Sequence, residues 1–238
     1  MLPNVRKLFI PDPGYTFFDI DLSSADLRIV AWESDCKVLK QWLKEGKDPY
    51  TEVAKEYYHE ASMSKQDPRR QRFKSLCHAT HYLGVAKNIA GNPNIGLLVI
   101  EVERIQRWYF GMCPEIKAWR ERLIKQITET MTVRNAFGYR HKFLCRLTHD
   151  TFNKGAAWIP QSTVGIVINH AMVNIDSNLP EVQLLLQVHD SLAGQYPTSM
   201  SYLRESIIEQ SRIVIPYKDP LVIPVGVKTS EKSWGDCK

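Results

Sequence analysis

Gln187-Val188-His189-Asp190-Ser191 constrains this chain more than any other stretch, because it is a tight polar connection between two short apolar runs. Leu184-Leu185-Leu186 precedes it, and Leu192-Ala193-Gly194-Gln195-Tyr196-Pro197 follows. Strand-length apolar runs on both sides of so short a connection predict a β-hairpin. A carboxylate at the tip of a hairpin is held rigidly and pointed outward. Burying Asp190 without a partner would cost several kcal/mol, so either a cation meets it or water solvates it. Taken alone, the pentapeptide also fits an ordinary turn in which Asp favours the bend. The rest of the chain has to decide.

A second carboxylate ends a second strand. Tyr15 to Leu22 reads as a buried strand closing on Asp21, which is expected at a sheet edge. Ser23-Ser24-Ala25-Asp26 follows at once as a capping sequence for a helix over Leu27 to Trp32. Asp48-Pro49 and Asp67-Pro68 mark two more helix starts, each with Pro in the first turn. Glu101 to Thr130 predicts a long helix, or a helix pair broken near Gly111 to Pro114. Val133 to Phe143 predicts a strand pair turning at Phe137-Gly138, and Lys154 to Asn178 a helix with an irregularity at Pro160. Ser199 to Val214 reads as an amphipathic helix and Leu221 to Lys228 as a closing strand. Strands thus cluster at both ends of the sequence and helices fill its middle. The expected fold class is α+β, an antiparallel sheet built from the termini with a helical lobe inserted.

The most informative helix is Asp67 to Gly84. At about 100° per residue, Arg70, Lys74, His78, His81 and Tyr82 share one arc of roughly 120°. Phe73, Leu76, Cys77, Ala79, Thr80 and Leu83 are assigned to the other side. A surface helix with a wet basic face shows the same division. The order along the wet face is more specific: two cations, then an imidazole, then a phenol, spread over roughly 18 Å at the helical rise. A nucleoside triphosphate needs such a ladder, with positive charge for its phosphates and flat groups near sugar and base. Asp21 and Asp190 would then share a pair of Mg²⁺ ions about 3.5–4 Å apart, activating a 3′-hydroxyl and neutralising the leaving pyrophosphate. Mg²⁺ favours one or two carboxylates plus substrate phosphates over a closed protein cage.

Charge supports a polyanionic partner through its distribution more than its sum. The 31 Lys and Arg against 26 Asp and Glu give a net charge of only +5. Two runs concentrate it: Lys65, Arg69, Arg70, Arg72 and Lys74 against Asp67, then Arg134, Arg140, Lys142, Arg146 and Lys154 against Asp150. Solvated faces are the plain alternative. The five cysteines are odd in number, scattered, and form no C-x-x-C pair, so a reducing compartment such as the cytoplasm is expected, with neither a zinc site nor a disulfide framework. No signal-type core and no bilayer-length apolar run is present, so no membrane association is expected.

At this point the residues resemble a known pattern, the palm and fingers of family A DNA polymerases. Asp21-Leu22-Ser23-Ser24-Ala25-Asp26-Leu27-Arg28 resembles motif A, and Arg70, Lys74, His78 and Tyr82 at four-residue spacing resemble motif B. Gln187-Val188-His189-Asp190-Ser191 resembles motif C. Asp48-Pro49-Tyr50, Gly138-Tyr139-Arg140, Pro160-Gln161-Ser162-Thr163 and Val225 to Trp234 are weaker matches, so the likeness covers nearly the whole chain. It implies a palm of residues 1–35 and 155–238, and fingers of residues 36–154.

The likeness also implies roles. Asp21 and Asp190 would be the catalytic metal carboxylates, with the Leu22 carbonyl as a further ligand for two Mg²⁺, Mn²⁺ being able to substitute. Arg70 and Lys74 would hold the incoming dNTP, and Lys74 would also protonate the pyrophosphate. Tyr82 would stack at the templating end, and Gln161, Gln187 and His189 would contact primer-template DNA. Asp26 would occupy the place of the sugar-discriminating Glu.

Several positions depart from the commonest pattern. Asp26 is one methylene shorter than Glu, His78 replaces Phe or Tyr, and Leu83 replaces Gly. Tyr50 replaces His, and Ser191 replaces an acid. Altered sugar selectivity is therefore expected. Thumb and 3′–5′ exonuclease are expected on a separate polypeptide, the arrangement of a split, viral type of polymerase. Two other readings remain at this stage: a nucleic-acid-binding subunit without catalysis, and a relative of single-subunit RNA polymerases.

Overall fold

The structure, a computed structural model, describes residues 4–238. In chain order they form β1 (Tyr15–Leu22), α1 (Ala25–Ser34), α2 (Lys37–Lys44), α3 (Pro49–Tyr58), α4 (Pro68–His81), α5 (Ala86–Ala90), α6 (Val99–Met112) and α7 (Pro114–Thr130). After these come β2 (Thr132–Arg134), β3 (Arg140–Lys142), α8 (His149–Asn178), β4 (Gln183–Val188), β5 (Ser191–Pro197), α9 (Leu203–Gln210), β6 (Val214–Ile215), β7 (Leu221–Val222) and β8 (Val225–Ser230). The chain divides into two compact units. Unit 1 holds the residues up to Ala25 and those from Ser162 onward; unit 2 is Asp26–Gln161.

Unit 1 is built on an antiparallel sheet of order β4-β5-β1-β8. Strand β1 is buried almost throughout because both of its faces are covered. On one face Phe18 and Ile20 pack with Leu192, Tyr196 and Val227 against Ile175 of α8 and Leu203 and Ile207 of α9. On the other, Phe17 and Ala193 pack against Trp234. That is why adjacent residues of β1, such as Phe17 and Phe18, are both buried, where a one-sided strand would alternate. It also corrects the expected position of Asp21. The residue closes an inner strand, with Ser191 and Gly226 as its cross-strand partners, and does not lie at a sheet edge.

Gly194 lets these layers meet. A Cβ there would come within 2.7 Å of the Phe18 ring and closer still to the Gln183 carbonyl, beside a register shift between Leu184 and Leu186. The shift turns Leu185 outward, so it is not part of the apolar core expected before the hairpin. Gly194→Ala is expected to destabilise the protein by about 1–3 kcal/mol, the usual cost of overpacking. Urea unfolding measures this, and an unchanged midpoint would contradict the packing described.

Unit 2 is mainly helical. Val30, Leu83, Trp119, Leu123, Ile127, Val133, Phe143, Ala156 and Ile159 form one of its hydrophobic clusters. The expected helix pair over 101–130 breaks at Cys113, where Pro114 opens α7. Two expectations for unit 1 need revision. The helix over 199–214 is confined to Leu203–Gln210, because Val214–Ile215 pairs with Leu221–Val222 instead. The closing strand is interrupted at Pro224, which has no N–H for a ladder and whose carbonyl accepts from Ser23 N at 3.0 Å.

Candidate functional site

In unit 1 the hairpin closes with Val188 opposite Ser191, leaving His189 and Asp190 as a two-residue turn. His189 has φ 54°, the left-handed region. Such turns need a positive φ and usually take Gly or Asn there, so a His holds the conformation at a cost of about 1–2 kcal/mol. Ser191, the residue after Asp190, is the strand partner of Asp21. Cα atoms so paired lie about 4.5–5.5 Å apart. The fold therefore brings the ends carrying Asp21 and Asp190 side by side, from positions 169 residues apart in the sequence (190 − 21). Asp21 is exposed, Asp190 is half-buried, and Leu22 is buried at the end of β1. Gln187 and His189 are exposed beside the turn.

These donors fit Mg²⁺. They are hard oxygen atoms, two carboxylates and a main-chain carbonyl, of the kind Mg²⁺ characteristically takes together with phosphates.

Sequence reading missed Asp19. It lies two residues before Asp21 and so on the same face of β1, and it is only 8% exposed. Ser191 Oγ donates to its Oδ1 at 2.7 Å, and Trp234 Nε1 to its Oδ2 at 2.9 Å. The Arg6 guanidinium lies 3.7 Å away. An acid inside an apolar octapeptide was the available signal.

In unit 2, Asp67 caps α4 by accepting from Arg69 N at 2.8 Å. Arg69 is also bound by Glu60 and the Asp67 side chain. Arg70 donates through Nε to Asp48 Oδ2 at 2.8 Å, its Nη2 lies 2.8 Å from the same oxygen as an ion pair, and the guanidinium stands over the Tyr50 ring. Burial pushes the Asp48 carboxyl up, but bonds from Arg70 and Thr51 outweigh it and hold it below its ordinary value. Arg70 is therefore not the open cation that the sequence suggests, because an anion 22 residues away already neutralises it. Lys74 is exposed.

Farther along α4, Asp26 Oδ2 is met by His78 Nε2 at 3.1 Å and accepts from the Tyr82 hydroxyl at 2.6 Å. The two rings are 4.4 Å apart, edge to face. Burial raises the Asp26 carboxyl, yet these two hydrogen bonds prevail and keep it ionised below its usual range. Burial is likewise the main cause of the raised Tyr82 hydroxyl, reinforced by Asp26. The Gln161 side chain joins this group through the same hydroxyl. Asp26, His78, Tyr82 and Gln161 are thus one connected network, although sequence reading separated Gln161 as a DNA contact.

His81 contradicts its expected place on the wet face. It is 1% exposed, and its Nε2 lies 2.8 Å from the Tyr109 hydroxyl of α6, which covers the last turn of α4. Burial pushes its imidazole down from 6.5 to about 3, so it is neutral in the fold. The unfolded chain takes up a proton below 6.5 that the folded chain refuses. Its stabilisation is therefore complete above pH 6.5 and is lost progressively as the pH falls toward about 3. Between pH 6 and 5 the unfolding free energy is expected to fall by up to about 1.4 kcal/mol per pH unit. Urea titrations of His81→Gln should show a flatter profile; the same slope in both proteins would rule out His81 as the source.

Comparison with known proteins adds the following. The sequence profile described as DNA polymerase family A matches residues 2–236. The thermostable DNA polymerase I of Thermus filiformis is 26% identical over 244 residues, covering 98% of this chain and 29% of that protein. DNA polymerase I of Bacillus subtilis is 25% identical, covering 98% and 27%, and the DNA polymerase of Mycobacterium phage D29 is 22% identical, covering 97% and 37%. The chain thus spans between 27% and 37% of the length of these relatives. In fold it is similar to the POL domain of Pol1 from M. smegmatis, solved in complex with DNA primer-template and dNTP. The TM-score is 0.86 at 20% identity, covering 97% of this chain and 42% of that one.

Proposed function

Since the chain belongs to DNA polymerase family A, we propose that it is a template-directed DNA polymerase core, adding deoxynucleotides to a primer 3′-hydroxyl and releasing pyrophosphate. The observation that carries this reading is the strand pairing of Asp21 with Ser191, which places the Asp190 turn beside the end of β1. Asp21, Asp190 and the Leu22 carbonyl would hold two Mg²⁺ ions, with Mn²⁺ as a substitute. When bound, such ions make the primer hydroxyl a stronger nucleophile and neutralise charge on the leaving group.

The remaining work falls to the chain's own side chains. Lys74, exposed on α4, would bind the triphosphate and give a proton to the departing pyrophosphate. Arg70 would reach a phosphate by exchanging it for Asp48, so nucleotide binding and release of that ion pair are linked. Asp26 is fixed by His78 and Tyr82 and kept ionised, and so would face the sugar as a rigid acceptor that accommodates no freely moving substituent. Gln187 and His189, exposed beside the turn, would contact the primer terminus, and Gln161 would position Tyr82 under the template base.

Primer extension on a defined template, with dNTPs and rNTPs side by side, tests the proposal. Template-directed dNTP incorporation with pyrophosphate release is expected. No extension, or a preference for rNTPs, would overturn it. The proposal extends to a partner polypeptide that lends grip on the duplex and to a viral setting, which the phage relative supports. Product lengths with and without candidate partners test the partner, equal lengths excluding it. No helix among the described residues is long and apolar enough to cross a membrane.

A further inference from the structure

We infer that Asp19 is the positioning residue of the Asp190 turn, acting through Ser191. The inference rests on the reading of Asp21 and Asp190 as metal carboxylates.

A charged side chain inside β1 costs several kcal/mol unless it is satisfied. Unit 1 satisfies it from three separate segments. The first residue of β5 supplies the Ser191 hydroxyl at 2.7 Å, the carboxyl-terminal segment the Trp234 indole at 2.9 Å, and the amino-terminal segment the Arg6 guanidinium at 3.7 Å. These partners support one another. Arg6 lies 4.4 Å over the Trp234 ring, and that ring lies against Phe17 and Phe9. The carboxylate is thus a fixed point in the sheet.

The residue it holds is the one whose position matters. Ser191 is bonded covalently to Asp190 and paired across the sheet with Asp21. Fixing its Oγ sets its rotamer and anchors the strand immediately after the turn. The turn needs such an anchor, because His189 sits at φ 54°, where a β-carbon is unfavourable and relaxation would move Asp190. A hydrogen bond to an ionised acceptor is roughly twice as strong as one between neutral groups. Asp19 therefore resists that relaxation better than a neutral side chain would.

The test compares Ser191→Ala, Ser191→Thr, Asp19→Ala and the Ser191→Ala/Asp19→Ala double variant. It measures Mn²⁺ affinity of the full chain by electron paramagnetic resonance without turnover, together with kcat and KM for dNTP. Ser191→Ala is expected to weaken Mn²⁺ binding and lower kcat by about 10-fold, the lower end for groups that orient a ligand, with KM for dNTP nearly unchanged. Ser191→Thr keeps the hydroxyl and should retain wild-type values. Asp19→Ala should match Ser191→Ala, and the double variant should lose no more than either. Should Asp19→Ala fail to fold, the two Ser191 variants decide alone. Wild-type Mn²⁺ affinity in Ser191→Ala, or additive losses in the double variant, overturns the inference while leaving the metal reading intact. A wild-type chain that binds no Mn²⁺ overturns the metal reading, and this inference falls with it.

Discussion

Asp190→Asn is expected to slow single-turnover primer extension by about 10³-fold or more. The substitution keeps the shape of the side chain and removes its charge. In the proposed reaction that charge holds divalent cations against a triphosphate, an effect worth several kcal/mol in the transition state, and each 1.36 kcal/mol is tenfold in rate. The fold is expected to survive the substitution. Asp190 is a half-buried turn residue, and the sheet is held by the pairing of β1 with β5 and β8 and by the packing of Phe18 and Ile20. Asp176→Asn, an exposed acid on α8, serves as the control and should leave the rate unchanged. Extension that survives Asp190→Asn would mean the activity comes from another site.

Lys74→Gln is expected to give the second-largest loss, about 10²-fold or more in the same rate, because proton donation to a leaving group contributes on this scale. Arg70→Gln should behave differently. It removes a guanidinium already bound to Asp48 and leaves a largely buried carboxylate without its main partner, the two side chains being 12% and 10% exposed. Its effect should therefore include a lower unfolding midpoint, and Asp48→Asn in the same chain should recover much of that loss. Rate and stability measured on all three variants separate the roles. Equal rate losses in Lys74→Gln and Arg70→Gln, without any stability difference, would contradict the distinction.

Much of this was legible in the sequence where the signal was local. The Gln187–Ser191 turn announces itself because two apolar runs leave it no other conformation, and Asp67-Pro68 marks the start of α4 within one residue. What local signals could not carry is which distant group completes each side chain. A helical wheel places His81 between Arg70 and Lys74, and only Tyr109, 28 residues later, makes it part of the core. Arg70 reads as an open cation until Asp48 folds against it. Asp19 sits inside an apolar run, and its partners Ser191 and Trp234 lie 172 and 215 positions away. Bounds failed for a related reason. Val214 and Ile215 continue an amphipathic pattern, yet a short ladder with Leu221 and Val222 takes them out of the helix.

One measurement bears most directly on the central claim that Asp21 and Asp190 are shared metal carboxylates. It is anomalous diffraction from crystals of the chain grown with primer-template, a non-hydrolysable dNTP and Mn²⁺. The expected result is two Mn²⁺ peaks, each ligated directly by a carboxylate oxygen of Asp21 or Asp190 and by the nucleotide phosphates. Peaks held by other residues, or a bound nucleotide whose phosphates lie away from both carboxylates, would contradict it.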